Sequence, residues 1–488
     1  MVDSEPATDG ASVSRRRFLT AAGASGVAVG IAGCTGGGGG DEGPVEITMD
    51  GEWAGIQDAV VNALYDAGLS EDIEVEILPG DFETGARRSD FQSALDAGRS
   101  QPDVFLMDSG WTIPFIVREQ VVNLSEELSS ETLDYVGSDY LEAAVDTASH
   151  PETGDLHGLP LFPDYPVMHY RKDLVEDAGY DPEGENWATE PLSWAEFAQV
   201  AADVWEEHDD LEYAFTTQGD DYEGTSCCTF NEAMTSWGGA YFGDHSNLFG
   251  PVGDRPTTVD EQPVHDTIRM FRSFMYGPDE DETLSGIPQI TTSDIVEFTE
   301  EDAREPFTAG DAAFVRNWPY VFAVNAGAAD EGNLDWDFEN HAAMPLPYGV
   351  EEGEGAYEGT GGTNHALGGW HLTVNPNSQR LEDSLAVLEA FANPDVMLTA
   401  FSEGGYIPPD PSVTQEANPD EVGAIGRFLD TLSVAGQNTV ARPVTTAWPD
   451  ESPLISGEIN AAYRGEKTPG EAMADLEESL ASIENEEQ

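Results

Sequence analysis

The sequence predicts an α/β protein of two domains, on three observations. The stretch after residue 44 alternates strand, helix, strand, helix, strand. The roughly 450 residues left once an export signal is removed exceed what one hydrophobic core usually holds. A glycine-rich run at 359–367, entering a strand-like segment that ends at Asn375-Pro376, reads as a hinge feeding a binding surface.

Taken in order, the chain opens on an address. Ser14-Arg15-Arg16-Arg17-Phe18-Leu19 matches the twin-arginine export pattern, 20–32 is weakly apolar, and Ile31-Ala32-Gly33-Cys34 has the form of a lipobox. The apolar run is shorter than the roughly 20 residues that cross a bilayer. Residues 1–33 are therefore expected to be a signal peptide, with cleavage before a lipidated Cys34 and a glycine-rich tether over 34–43.

Strands are predicted at 45–49, at 73–77 by clean alternation, and at 103–107 as an apolar run suited to a buried parallel sheet. Helices are expected between them at 56–67 and 91–97. Ligands in such sheets sit beyond the carboxyl ends of the strands. Glu52 and Asp108 fall at that edge, so position singles them out among many acids. Residues 166–170 follow as a strand next to prolines. A helix at 193–206 opens with Ser193 and Glu196 in capping-box spacing. Residues 222–241, rich in aromatics, are expected inside the second domain. A helix at 264–276 precedes a buried strand at 312–315, which delivers Arg316-Asn317-Trp318-Pro319-Tyr320 to a turn. Gly368 and Gly369 remove side chains that would hold a ligand away, and Trp370 offers a flat apolar face suited to a sugar ring. A helix at 381–392, a rigid turn at 404–409, Arg442-Pro443-Val444 and helices at 453–463 and 469–483 complete the chain.

Net charge is −76, from 95 acidic against 19 basic residues. Such self-repulsion is screened at molar salt, where the Debye length is about 3 Å. The composition resembles that of a haloarchaeal protein. With 39% hydrophobic residues and ten tryptophans the chain can pack a core. Nucleic-acid binding is excluded, since no basic patch exists to release counterions. Cys227 and Cys228 are adjacent and give no zinc spacing; they read as buried thiols or a local disulfide.

The order of PDVFLMDSGW, HGLPLFPDYPVMHYRKDLVEDAG, PLSWAEF, GDAAFVRNWPY, AMPLPYG, LGGWHLTVNPNS, GGYIPP, and ARPV followed by AYRGEKTPGEAM resembles the extracellular solute-binding proteins (family 1) of ABC sugar importers, of the maltose- and trehalose-binding kind. The resemblance covers about 45–480. It implies a two-lobed, type II periplasmic-binding-protein-like fold, with crossings near 162–167, 359–367 and 409–412. The N-terminal lobe would comprise 44–163 and 366–410, and the C-terminal lobe 167–360 and 412–488. A sugar, expected to be a di- or oligosaccharide, would lie in the cleft. Glu52, Asp108 and Asp164 would take its hydroxyls, Trp318, Gly369 and Trp370 would face its rings, and Arg442 would donate as a fixed fork. Arg87 or Arg88 would add a donor, with Trp111 and Tyr165 as neighbours. No cofactor, metal or catalytic residue is implied; the expected partners are the sugar, the permease subunits and the membrane, for a monomer. The rivals are a surface glycoside hydrolase using Asp108 and Asp164 as acid and base, and a binding protein for another small solute.

Overall fold

The computed structural model describes residues 43–81, 84–417 and 422–486, without the side chains of Glu52, Gln415, Glu416 and Glu486. The export signal, Cys34 and most of the tether thus lie outside the described residues, as does the Glu52 side chain. From Pro44 onward the described chain folds as one compact unit.

Among the described residues ten strands make two sheets. In chain order they are β1 (Val45–Met49), β2 (Val75–Pro79), β3 (Val104–Asp108), β4 (Gly158–Asp164), β5 (Val167–Arg171), β6 (Tyr213–Thr216), β7 (Ala312–Asn317), β8 (His341–Met344), β9 (His365–Val374) and β10 (Thr439–Ala441). The first sheet runs β10-β9-β3-β1-β2 with β4 also on β9; the second runs β6-β7-β5-β8. β1 pairs in parallel with β2 and β3, as the strand–helix alternation requires. β1 buries Val45, Ile47 and Met49 in alternation, whereas β3 is buried throughout because both its faces are covered.

Each sheet has its own core. Helices Gln57–Asp66, Ser130–Asp139, Leu381–Phe391 and Pro394–Gly404 bury Val60, Val136, Leu388 and Val396 with Ile47 and Leu106. Around the second sheet, helices Trp194–Glu207, Gln262–Tyr276, Trp448–Tyr463 and Pro469–Glu486 pack Phe197, Phe274, Ile459 and Leu476 against Phe215 and Phe314. The capping box of the first of these forms as predicted, Ser193 and Glu196 exchanging backbone hydrogen bonds. These bonds hold the Glu196 carboxyl below its ordinary pKa.

The chain passes from the first sheet to the second between β4 and β5, and returns between β8 and β9. The last passage differs from the expectation at 409–412. Ile407, Val422, Phe428 and Leu432 join Tyr165, Val167 and Leu367 in a separate cluster. The chain then adds β10 to the first sheet, beside Ala366, before Trp448 enters the second core. One strand from 412–488 therefore belongs to the first sheet.

Three smaller differences have local causes. The second strand is displaced to Val75–Pro79, where its register on β1 is set. β7 runs on to Asn317 because Arg316 is buried against Glu232 rather than released to a turn. The penultimate helix begins at Trp448, with Pro449 in the first turn, where a proline has no bond to lose, and Pro453 carried inside.

Candidate functional site

The cleft is built outward from β9. Trp370 pairs with Asp108 on β3 and with Phe162 on β4, while Asp164 lies opposite Gly368. Ladder pairing thus puts Asp108, Trp370 and Phe162 side by side at the carboxyl ends of β3 and β4. Trp370 is the one residue of β9 that is not fully buried. A cavity of about 130 Å³ opens there, and both lobes line it: Asp50, Thr84, Arg87, Asp108, Phe162, Asp164, Gly369, Trp370 and Tyr406 meet Tyr222, Glu223, Cys227, Cys228, Glu300, Trp318 and Tyr320, with Arg442.

Trp318 is 9% exposed and leaves β7 through a bond from its own N–H to the Asn317 side chain at 2.8 Å. The Arg316 guanidinium lies 4.7 Å from its ring, and is itself fixed by Glu232 at 2.5 and 2.7 Å. Trp370 carries a second cation, Arg87, 4.1 Å from its ring centre. Arg87 is 2% exposed and 3.8 Å from Asp50. Burial lowers the Arg87 pKa, and the nearby Asp50 charge acts against that.

Arg442 joins the lobes. Its Nη1 donates to Asp108 on the first at 2.9 Å and to Glu223 on the second at 3.1 Å. Gly110 makes this possible, since a Cβ there would collide with the guanidinium. Asp108 also accepts from the Gly110 N–H at 2.7 Å, and Glu223 from Trp448 Nε1 at 3.3 Å. Burial, and then the Asp108 charge, raise the Glu223 pKa, while Arg442 opposes the rise. Glu300 is likewise raised by burial. Carboxylates, two guanidiniums and aromatic faces around a small cavity can bind a polar ring with hydroxyl edges and C–H faces.

Of the eight residues expected at the site, Arg87, Asp108, Asp164, Trp318, Gly369, Trp370 and Arg442 meet at the cavity. Glu52 lies in the helix Gly51–Gly55 just after β1, but its side chain is outside the described residues. The glycines also serve the protein's own packing. A Cβ on Gly368 would stand 3.3 Å from the Trp318 ring, and one on Gly369, at φ +143°, would stand 3.1 Å from the Phe162 carbonyl. They admit a tryptophan and a neighbouring strand, and both also line the cavity. Trp111 is fully buried, donating to Thr84 Oγ1 at 2.9 Å, and Tyr165 packs with Leu432 and Ala435 away from the cavity. Neither lines it.

Sequence reasoning missed Asp50, Tyr222, Glu223, Glu300, Tyr320 and Tyr406. Asp50 was within reach, because it too follows β1 at the sheet's carboxyl edge. Tyr222 and Glu223 precede an irregular turn, Thr225–Thr229, that no periodic pattern announces. Among the described residues no cluster could hold a metal ion, and no helix is long and apolar enough to cross a membrane.

A two-lobed α/β fold with a ligand-sized cavity shared by its lobes defines a binding protein of the periplasmic type. Residues 54–398 match the family described as bacterial extracellular solute-binding protein, and the chain belongs to that family. Its members bind solutes and are not enzymes. A "Probable ABC transporter-binding protein" of Deinococcus radiodurans is 25% identical over 418 residues, covering 84% of this chain and 86% of the relative. Among solved structures, maltose-bound MalE3 of T. maritima is similar in fold, with a TM-score of 0.72, 22% identity, and coverage of 90% of this chain and 98% of that one. The GacH receptor of Streptomyces glaucescens, solved unliganded and with acarbose, gives 0.68, 18%, 90% and 98% in the same order.

Proposed function

We propose that this protein is the substrate-binding lipoprotein of an ABC importer, capturing a sugar between its lobes and presenting it to the permease. The carrying observation is that Trp318 from one lobe and Trp370 from the other line a single cavity with Asp108 and Arg442. Asp108, Asp164 and Glu52 would accept from hydroxyls, Arg87 and Arg442 would donate, and the two tryptophans would cover C–H faces, with Gly369 at their edge. A charged hydrogen bond contributes roughly 1.5–3 kcal/mol and apolar burial about 25 cal/mol per Å². A few such contacts reach the about −8 kcal/mol of a micromolar ligand after association costs.

The cavity is close in size to the about 150 Å³ pocket that takes up benzene. It holds about one ring, so a di- or oligosaccharide would place one ring between the tryptophans and part the lobes for the rest. The maltose of the T. maritima relative and the acarbose of GacH support a sugar of this class. Asp108 is poorly placed for acid–base work, being held by Arg442 and the Gly110 N–H.

Twin-arginine export, cleavage before Cys34 and lipidation of its sulfur would place the receptor on the outer face of the cell membrane as a monomer, in a high-salt setting that suits the net charge of −76. A thermal-shift screen in molar potassium chloride tests the reading. At a hundredfold excess over Kd a bound sugar stabilises by about 2.7 kcal/mol, so at least one di- or oligosaccharide should raise the midpoint. A rise with another small solute and with no sugar would replace sugar by that solute.

A further inference from the structure

Cys227 and Cys228 form a disulfide that belongs to the second core and also lines the cavity. They sit on the π-helical turn Thr225–Thr229, directly after Tyr222, Glu223 and Gly224, which line the same cavity. Such turns recur at functional sites, because the extra residue re-aims side chains that a regular helix would bury.

The turn is firmly mounted. Ser226 Oγ meets Ser452 Oγ at 2.7 Å, and Tyr241 donates to the Ser226 carbonyl at 2.7 Å. Thr225 donates to the Asp220 carbonyl at 2.6 Å. Bonding adjacent cysteines closes both side chains into one small ring, so no rotamer freedom remains to be lost when a ligand arrives. The sulfurs are polarisable and apolar and offer no N–H or O–H to a hydroxyl. Beside them stands the Glu223 carboxylate, held by Arg442 and Trp448. The second lobe thus sets a rigid apolar plate next to a hydrogen-bond acceptor. The first lobe makes the same pairing from Trp370 and Asp108, partners across two strands.

We propose that the Cys227–Cys228 disulfide is a ligand-contacting wall of the cleft, an apolar plate that receives a C–H face of the sugar ring and makes the site prefer cyclic sugars over open-chain polyols. This inference rests on the sugar-binding reading above. A pyranose presents a flat C–H face that such a plate can cover, whereas a linear polyol turns hydroxyls in every direction.

The test is calorimetry in molar potassium chloride with maltose, trehalose, glucose and mannitol, on the full exported chain as purified, after reduction in place by a phosphine, and as the C227A/C228A variant. Peptide mass spectrometry should find the two cysteines joined in the purified protein. Breaking the plate should weaken the bound cyclic sugar about tenfold and mannitol by less than about twofold, so that the ratio between them falls. A purely structural disulfide would weaken both equally, and that result overturns the inference, as would free thiols in the purified protein or unchanged sugar affinity. Should the variant fail to fold, reduction in place gives the same comparison. Failure of the untouched protein to bind any sugar would overturn the sugar reading and this inference with it, whereas sugar binding indifferent to the disulfide overturns the inference alone.

Discussion

The first lobe presents its half of the cleft from strand ends and the second from turns. Asp50, Asp108, Phe162 and Trp370 follow or sit within β1, β3, β4 and β9, so backbone ladders fix their spacing. Tyr222, Glu223 and Glu300 come from loop and helix starts, Trp318 follows β7, and they are held chiefly by side-chain bonds such as Arg316–Glu232 and Arg442–Glu223. One wall is rigid by construction and the other by charge pairing. Substitutions should therefore be felt as packing on the first wall and as electrostatics on the second.

Arg442 offers the largest break in that contrast, because it serves both walls. Arg442→Ala would leave Asp108 and Glu223 buried without their shared cation, a loss of about 3–5 kcal/mol for a broken buried pair. Denaturation in molar salt should show it, together with loss of sugar binding. A variant as stable as the parent would mean that the bridge is incidental.

Acid should cost both sheets, since each carries two buried histidines. His169 and His341 face each other at 3.1 Å around β5 and β8, while His365 and His371 on β9 are bonded to the Pro166 carbonyl at 2.7 Å and to Thr147 at 2.9 Å. Burial pushes His169 and His371 down to about 3 and His365 to about 4, and lowers His341 as well. With folded pKa values below the unfolded 6.5, the unfolded chain binds more protons, so stability is complete above 6.5 and falls as pH drops below it. Glu223, Glu232 and Glu300, and Glu451, which is raised to about 7, take up protons first in the folded state because of burial and oppose part of the loss above 4.5. Melting between pH 7 and 5 at fixed molar salt should show a falling midpoint, and amide exchange should report opening around both histidine pairs. A flat midpoint would contradict the buried-histidine account.

A smaller effect separates contact from stability. Gly368→Ala puts a methyl 3.3 Å from the Trp318 ring without a forbidden backbone angle. It should weaken sugar binding several-fold by tilting that ring, with a stability change under about 1 kcal/mol. Calorimetry and melting on the one variant measure both, and equal affinity would show that Trp318 tolerates displacement.

The same contrast explains what the sequence disclosed. Alternation at 45–49, the apolar run ending at Asp108 and the Gly-Gly-Trp of β9 exposed the first wall, because strand periodicity and the carboxyl-edge rule are local signals. Trp318 was legible as the residue after a buried strand. Glu223 and Glu300 were not, since 95 acids hide any two and both reach the cleft through long-range pairing. The close approach at the glycines was legible, but not what approaches: a Cβ on Gly368 would meet Trp318, which lies 50 residues earlier in the chain. The last passage between lobes escaped because β10 is only three residues long and finds its partner, β9, far back in the sequence.

The central claim is that one sugar ring lies between Trp318 and Trp370. A double-mutant cycle of Trp318→Ala and Trp370→Ala, read by calorimetry with the best-binding sugar in molar potassium chloride, tests it most directly. Each single variant should lose at least about tenfold in affinity at a preserved melting midpoint, and the double should lose less than the sum by at least about 0.5 kcal/mol, as expected of residues sharing one ligand. Unchanged affinity in both single variants would contradict the account.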